Sequence, residues 1–284
     1  MHILVIGATG FIGRHVVSCL LEKGHQVTAV ARNPERLNEV PWKDSVKFIS
    51  CNIHDPATDI DSFGQPDALI HLPWPGLPYY KSLLNIEETL PADYFFLKKF
   101  ISMGIKHILV AGTCFEYGLQ NGCLHEELTP NPVTSYGLAK DSLRRYLQGL
   151  QQVYSFTLQW ARLFYMYGEG QHYNSLLPQL DRAIDNNDPI FNMSGGEQLR
   201  DYMPVVETAE CLVKLIETPT FDGIVNVCSG KPISVRRLVE ERIASRNAST
   251  KINRGYYPYL DYEPMAFWGD ATKLSRILPK SNHL

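Results

Sequence analysis

The apolar run His2-Ile3-Leu4-Val5-Ile6 opens onto Gly7-Ala8-Thr9-Gly10-Phe11-Ile12-Gly13, and a helical pattern continues from Phe11 to about Lys23. Strand, glycine turn and helix in that order constrain the fold more than anything else in the chain. Glycine permits a tight turn, a close approach of backbone to a ligand, and close packing of helix on strand. A helix start also offers unpaired N–H groups that suit a pyrophosphate. The spacing is G-x-x-G-x-x-G rather than G-x-G-x-x-G, but the flanking strand and helix are those a dinucleotide site requires. Gly7, Thr9, Gly10, Phe11, Ile12 and Gly13 are therefore candidate cofactor-binding residues.

The same alternation continues down the chain. Val27–Ala31, Val46–Ser50, Ala68–Leu72, His107–Ala111 and Thr157–Leu163 read as further strands. Residues 82–103 read as a helix that Pro91 should interrupt. This order predicts an α/β fold built on a doubly wound parallel sheet. An NAD site favours a carboxylate at the end of the second strand, whereas a cation suits a 2′-phosphate. Arg32 stands there, with Arg14 and Arg36 able to assist, so NADP(H) is expected over NAD(H). Asn52 and Ile53 would flank the adenine. Leu72 ends the fourth strand, on the side where α/β sites form, and is a further candidate cofactor-binding residue; Trp74 follows in a stiff Pro-Trp-Pro-Gly loop. His71 reads as a structural strand-end histidine.

The bulk numbers exclude several classes. The chain has 284 residues, and its net charge of -3 gives no electrostatic case for nucleic acid or an anionic membrane. No apolar stretch of the ~18 residues needed for a membrane span occurs, and the N-terminal apolar run is short for a signal peptide. The six cysteines show no metal-ligand spacing and read as reduced thiols of a cytoplasmic protein. No metal site is expected.

Tyr136 and Lys140 lie four positions apart in a helical pattern, which sets them on one face roughly 6 Å apart. An ammonium beside a phenol favours the phenolate, so the pair predicts a tyrosine of lowered pKa that exchanges protons. Ser135 is the expected N-cap. Thr113 supplies a hydroxyl at the C-terminal end of the fifth strand.

Together, the glycine turn, Thr113 before Tyr117-Gly118, Tyr136-x-x-x-Lys140, and Arg162-Leu163-Phe164-Tyr165-Met166-Tyr167-Gly168 resemble an extended short-chain dehydrogenase/reductase. The resemblance runs to about residue 240. It implies a Rossmann domain over 1–164 with 205–227 packing back onto it, and a smaller substrate-binding lobe from 165–204 and 228–284. Asp270–Ile277 would form a short helix under that lobe. The resemblance also implies roles. Thr113 would hydrogen-bond the reacting oxygen, Tyr136 would act as general acid/base, and Lys140 would hold the nicotinamide ribose while tuning Tyr136, so that Tyr136 and Lys140 also count among the cofactor-binding residues. Substrate contacts are expected from Trp74, Cys114, Phe115, Tyr165 and Asn174. Arg200 would clamp a nucleotide diphosphate, the alternative being an ion pair with Asp201.

Sugar 4,6-dehydratases of this family carry Asp-Glu after the Thr, where this chain has Cys114-Phe115. GDP-fucose synthases carry a reactive Cys where this chain has Phe115. Loss of those groups with retention of Thr, Tyr and Lys implies simple hydride transfer. The expected activity is NADPH-dependent reduction of the C4 ketone of a nucleotide-linked 4-keto-6-deoxyhexose. A dTDP-linked substrate giving a sugar such as dTDP-fucose heads that class. A C4 epimerase with resident NAD and a non-catalytic NADP(H) sensor are the alternatives, and a homodimer is expected by analogy.

Overall fold

The computed structural model describes residues 1–278. The segment 279–284 of the expected substrate lobe lies outside the described residues. Up to Thr113 the regular elements are β1 (His2–Ile6), α1 (Phe11–Glu22), β2 (Gln26–Ala31), β3 (Lys47–Ser50), β4 (Ala68–His71), α2 (Leu90–Ser102) and β5 (His107–Thr113). Next come β6 (Gly122–Leu124), α3 (Ser135–Leu150), β7 (Thr157–Leu163), β8 (Tyr165–Tyr167), α4 (Leu176–Asp185), β9 (Ile190–Asn192) and β10 (Leu199–Pro204). The chain continues with α5 (Val205–Ile216), β11 (Gly223–Val227), β12 (Pro232–Ser234), α6 (Val235–Ser245), β13 (Lys251–Asn253), β14 (Phe267–Gly269) and α7 (Thr272–Ile277).

Seven of these strands form one parallel sheet in the order β11-β7-β5-β4-β1-β2-β3. The fold is the expected doubly wound α/β sheet. Strands buried on both faces read as continuous apolar runs. Ile3, Leu4 and Val5, and likewise Ala68, Leu69 and Ile70, are fully buried. Val16, Val17 and Leu20 of α1 join α5 on one face, where Leu212, Val213 and Ile216 pack with them. Phe96, Leu97 and Phe100 of α2 meet Ala139, Leu143 and Leu147 of α3 on the other. Each fully buried Leu, Ile, Val or Phe contributes about 1.5–3 kcal/mol. These two layers fix the sheet, and the sheet positions the site.

The strand order reverses between β1 and β4, which opens a crevice beyond their carboxyl ends. A smaller sheet runs β12-β10-β8, and Tyr165 and Met166 of its β8 strand line the cleft. Leu177, Leu180 and Ile184 of α4 pack with Val235 and Val239 of α6 in a separate core.

Four local readings are corrected. A single π turn over Asn85–Thr89 precedes α2, and Pro91 sits in the first turn of that helix, where its missing N–H does no harm. Thr134 caps α3 in place of Ser135, its side chain accepting from Gly137 N at 3.1 Å. Residues 174–186 read as a helix in the sequence, and α4 begins at Leu176. Residues 272–277 lie against β11, not under the small lobe, and Leu274 joins the core around α1 and α5. No helix among the described residues is long and apolar enough to cross a membrane.

Candidate active site

A cleft of about 720 Å³ runs along the carboxyl edge of the sheet. At one end stands the glycine turn. Gly7 adopts φ +81°, and a Cβ there would meet Pro73 at 3.2 Å. A Cβ on Gly13 would stand 2.2 Å from Gly7 O, so only glycine lets α1 start this close to the turn. The first turn of α1 has no side-chain cap, which leaves its N–H groups for a ligand. These observations fit a dinucleotide pyrophosphate. Arg32, Asn52, Ile53 and Leu72 line the cleft beyond the turn, with Arg32 exposed on its rim.

Thr113, Tyr136 and Lys140 line the same cleft. Thr113 ends β5, where its Oγ1 accepts from Phe115 N at 3.3 Å. A threonine hydroxyl offers one donor and two lone pairs, so its proton remains for a second partner. The Thr113 side chain acts on the buried Tyr136 phenol. Gly137 makes this juxtaposition possible, since a Cβ there would stand 2.5 Å from the carbonyl oxygen of Phe115.

Lys140 is buried, and its Nζ donates to Ala111 O at 2.7 Å. That Nζ also lies 4.2 Å from the Trp74 ring centroid, a cation–π geometry. Burial pushes the amine down to about 8, against the pull of the Asp93 and Glu116 carboxylates. The phenol moves opposite to the sequence expectation. Burial raises the Tyr136 pKa well above its usual value, and the Thr113 hydroxyl only partly offsets it. Desolvation of the phenol dominates, and the Lys140 ammonium, turned to Ala111 O and the Trp74 ring, is not among the groups that act on it.

Two buried acids support these groups. Glu116 accepts from Thr113 N and Trp160 Nε1, both at 2.9 Å, and from Arg162 Nε at 2.7 Å. It thus ties the Thr113 backbone to β7. Asp93 lies 2.7 Å from His54 and 3.4 Å from His71. Burial pushes its carboxyl up, yet the His71 and His54 rings bring it down to about 2. The pattern Thr113-x-x-Glu116 is a capping-box signature and could have marked Glu116 in the sequence. Asp93 and its histidines carried no such signal.

Trp74, Cys114, Phe115, Tyr165 and Asn174 also line the cleft. Cys114 is buried, which raises its thiol pKa well above the ordinary range. The Tyr165 hydroxyl is buried and has no hydrogen-bond partner among the described residues. Arg200 departs from the expectation because it does not line the cleft. Its Nη2 and Nε reach Glu263 at 2.8 and 3.2 Å, and the guanidinium lies 4.6 Å from the Phe267 ring centroid. Asp201 is not its partner either, since that carboxylate accepts from Ser229 N and Gly230 N at 2.8 and 2.9 Å. Among the described residues no group of three or more His, Cys, Asp or Glu side chains is placed to hold a metal ion.

The model of the NAD dependent epimerase/dehydratase family matches residues 3–228. The chain is 31% identical to a dTDP-6-deoxy-L-talose 4-dehydrogenase (NAD(+)) of Aggregatibacter actinomycetemcomitans, over 95% of this chain and 99% of that one. It is 25% identical to a dTDP-4-dehydro-6-deoxyglucose reductase of Escherichia coli, over 84% and 79%. A solved structure of UDP-glucuronic acid 4-epimerase from Bacillus cereus, in complex with UDP-glucuronic acid and NAD, superposes with a TM-score of 0.83. Its identity is 23%, over 98% of this chain and 93% of that one, and the likeness bears on the fold. The matched span holds the glycine turn and the phenol–amine pair alike, so the chain belongs to the NAD dependent epimerase/dehydratase family, enzymes of the extended short-chain dehydrogenase/reductase type.

Proposed function

We propose that this enzyme interconverts ketone and alcohol at C4 of a nucleotide-linked 6-deoxyhexose, running as an NADPH-dependent reductase. The observation that carries the reading is a single cleft lined by the glycine cradle at one end and by Thr113, Tyr136 and Lys140 further along. The names of both sequence relatives describe the C4 alcohol–ketone couple of a dTDP-6-deoxyhexose. A dTDP-linked 4-keto-6-deoxyhexose therefore heads the substrate class, with dTDP-4-keto-6-deoxyglucose as the first candidate.

Bound at the glycine turn, a reduced nicotinamide cofactor supplies the hydride. This chain's own residues do the rest. Gly7, Gly10 and Gly13 admit the pyrophosphate to the start of α1, and Lys140 is the candidate for the nicotinamide ribose. Thr113 donates its free proton to the substrate carbonyl oxygen and stabilises the charge that develops there. Tyr136 gives its proton to the same oxygen. A phenol whose pKa burial raises is protonated at neutral pH, the form that reduction requires. Arg32 on the rim, with no carboxylate at the end of β2, supports NADP(H), whereas the name of one relative specifies NAD(+).

The test is NADPH oxidation by the purified chain against dTDP-, CDP- and GDP-linked 4-keto-6-deoxyhexoses. Stoichiometric consumption with a C4 alcohol as product is expected. Copurified NAD, with equilibration of C4 epimers and no net NADPH use, would instead establish an epimerase.

A further inference from the structure

Three separate segments bring aromatic rings around the Tyr136 phenol. The ring centroids of Trp74, Tyr80 and Phe115 lie 5.7, 5.6 and 5.9 Å from that of Tyr136. Tyr80 and Phe115 stack on one another at 4.7 Å and 16°. Tyr262 flanks both, at 5.9 and 6.2 Å. Trp74, Tyr80 and Phe115 line the cleft.

Hydrogen bonds and an ion pair fix this wall relative to the phenol. Tyr136 N donates to Tyr80 O at 3.0 Å, and Ser135 Oγ donates to Lys81 O at 3.1 Å. Asn85, itself buried, accepts from Trp74 Nε1 at 2.8 Å and donates to Tyr79 O and Ser82 O at 3.1 and 2.9 Å. Lys81 reaches both carboxylate oxygens of Asp261, at 2.8 and 2.9 Å, and so anchors the segment that carries Tyr262. Polar side chains line the cleft elsewhere, among them Tyr165, Gln171 and Asn174.

We infer that the stacked Tyr80–Phe115 pair, backed by Tyr262, reads C6 of the sugar and selects a methyl there over a hydroxymethyl. The inference rests on the C4 chemistry proposed above. Proton transfer fixes the C4 oxygen beside Tyr136 and Thr113. C6 is three bonds from that oxygen, through C4 and C5, which brings it within reach of the rings that surround the phenol. A methyl buries well on ring faces. A hydroxymethyl would strip water from its hydroxyl and leave it facing aromatic carbon. An apolar pocket rejects an added hydroxyl by up to about 100-fold.

The experiment uses the full chain with NADP⁺, run in the oxidative direction on stable sugars. For each dTDP-6-deoxyhexose that is oxidised, kcat/KM is compared with that of the dTDP-hexose of the same configuration bearing a C6 hydroxyl. A preference of about 10- to 100-fold for the 6-deoxy sugar is expected. Phe115→Ser should bring that ratio below about 5, mainly by losing rate on the 6-deoxy sugar. If Phe115→Ser does not fold, Tyr262→Ala provides the same comparison. Equal kcat/KM for the two sugars in the unaltered enzyme would overturn this inference and leave the C4 chemistry standing. Oxidation of no 6-deoxyhexose with either NADP⁺ or NAD⁺ would remove the C4 reading, and this inference with it.

Discussion

The Lys140 ammonium lies 4.2 Å from the centre of the Trp74 indole, with Ala111 O as its hydrogen-bond acceptor. A buried cation of this kind opposes folding. Its pKa falls from an ordinary 10.5 to about 8, a difference worth on the order of 3 kcal/mol. Below pH 8 folded and unfolded chains are both protonated at this site, and the penalty is complete. Between 8 and 10.5 the unfolded chain holds more proton, so stability rises with pH and the penalty fades. Lys140→Met should therefore raise Tm by a few degrees at pH 7, and the gain should shrink as pH approaches 10.5. Turnover should be lost. Calorimetry across pH checks the first part and NADPH oxidation the second.

Gly137 sits inside the first turn of α3, where Ala would ordinarily favour the helix by about 1 kcal/mol. Here a Cβ would stand 2.5 Å from the backbone oxygen of Phe115, which is not free to yield. Gly137→Ala should push Tyr136 away from Thr113. A fall in kcat of about 100-fold is expected, because small misplacements at a reacting centre have large effects. Cofactor affinity, held mainly at the glycine turn, should change much less.

Glu116 holds Thr113 N, Trp160 Nε1 and Arg162 Nε with one buried carboxylate. Glu116→Gln keeps the volume but replaces one acceptor with a donor and leaves Arg162 uncompensated. A destabilisation of about 3–5 kcal/mol follows from breaking a buried pair on one side. Urea unfolding should show it as a lowered midpoint. Lys140 also loses a carboxylate that supports its charge, so the alkaline limb of the pH–rate profile should move to lower pH.

Arg32 and Arg36 lie together on the cleft rim. If Arg32 receives a 2′-phosphate, Arg32→Ala should lower kcat/KM with NADPH by about 10- to 100-fold and leave NADH nearly unaffected, the loss of one charge-assisted contact. Steady-state kinetics with both cofactors measure the ratio directly.

Much of this architecture was legible because its signals are local. Continuous apolar runs marked the buried parallel strands. Gly7, Gly10 and Gly13 marked the turn by their spacing, and at Gly7 and Gly13 the backbone geometry excludes a side chain. Tyr136 and Lys140 could be paired by helical spacing alone. What spacing could not give was burial, and burial reverses the expected shift of the Tyr136 phenol. Nor could it find partners distant in sequence. Arg200 meets Glu263 through a loop of no periodic pattern, and Tyr80 meets Tyr262 in the same way. Asp93 carried no sequence signal of its partners, and only the fold sets it against His54 and His71.

Tyr136→Phe tests the central claim most directly. The substitution removes one oxygen and leaves the ring that packs against Trp74 and Phe115. Turnover of the 4-keto sugar should fall by at least about 100-fold, the scale of a lost general acid, while NADPH binding measured by fluorescence stays within about threefold, as expected for a group that touches the reacting oxygen and not the pyrophosphate. A variant that reduces the sugar at the full rate would contradict the account.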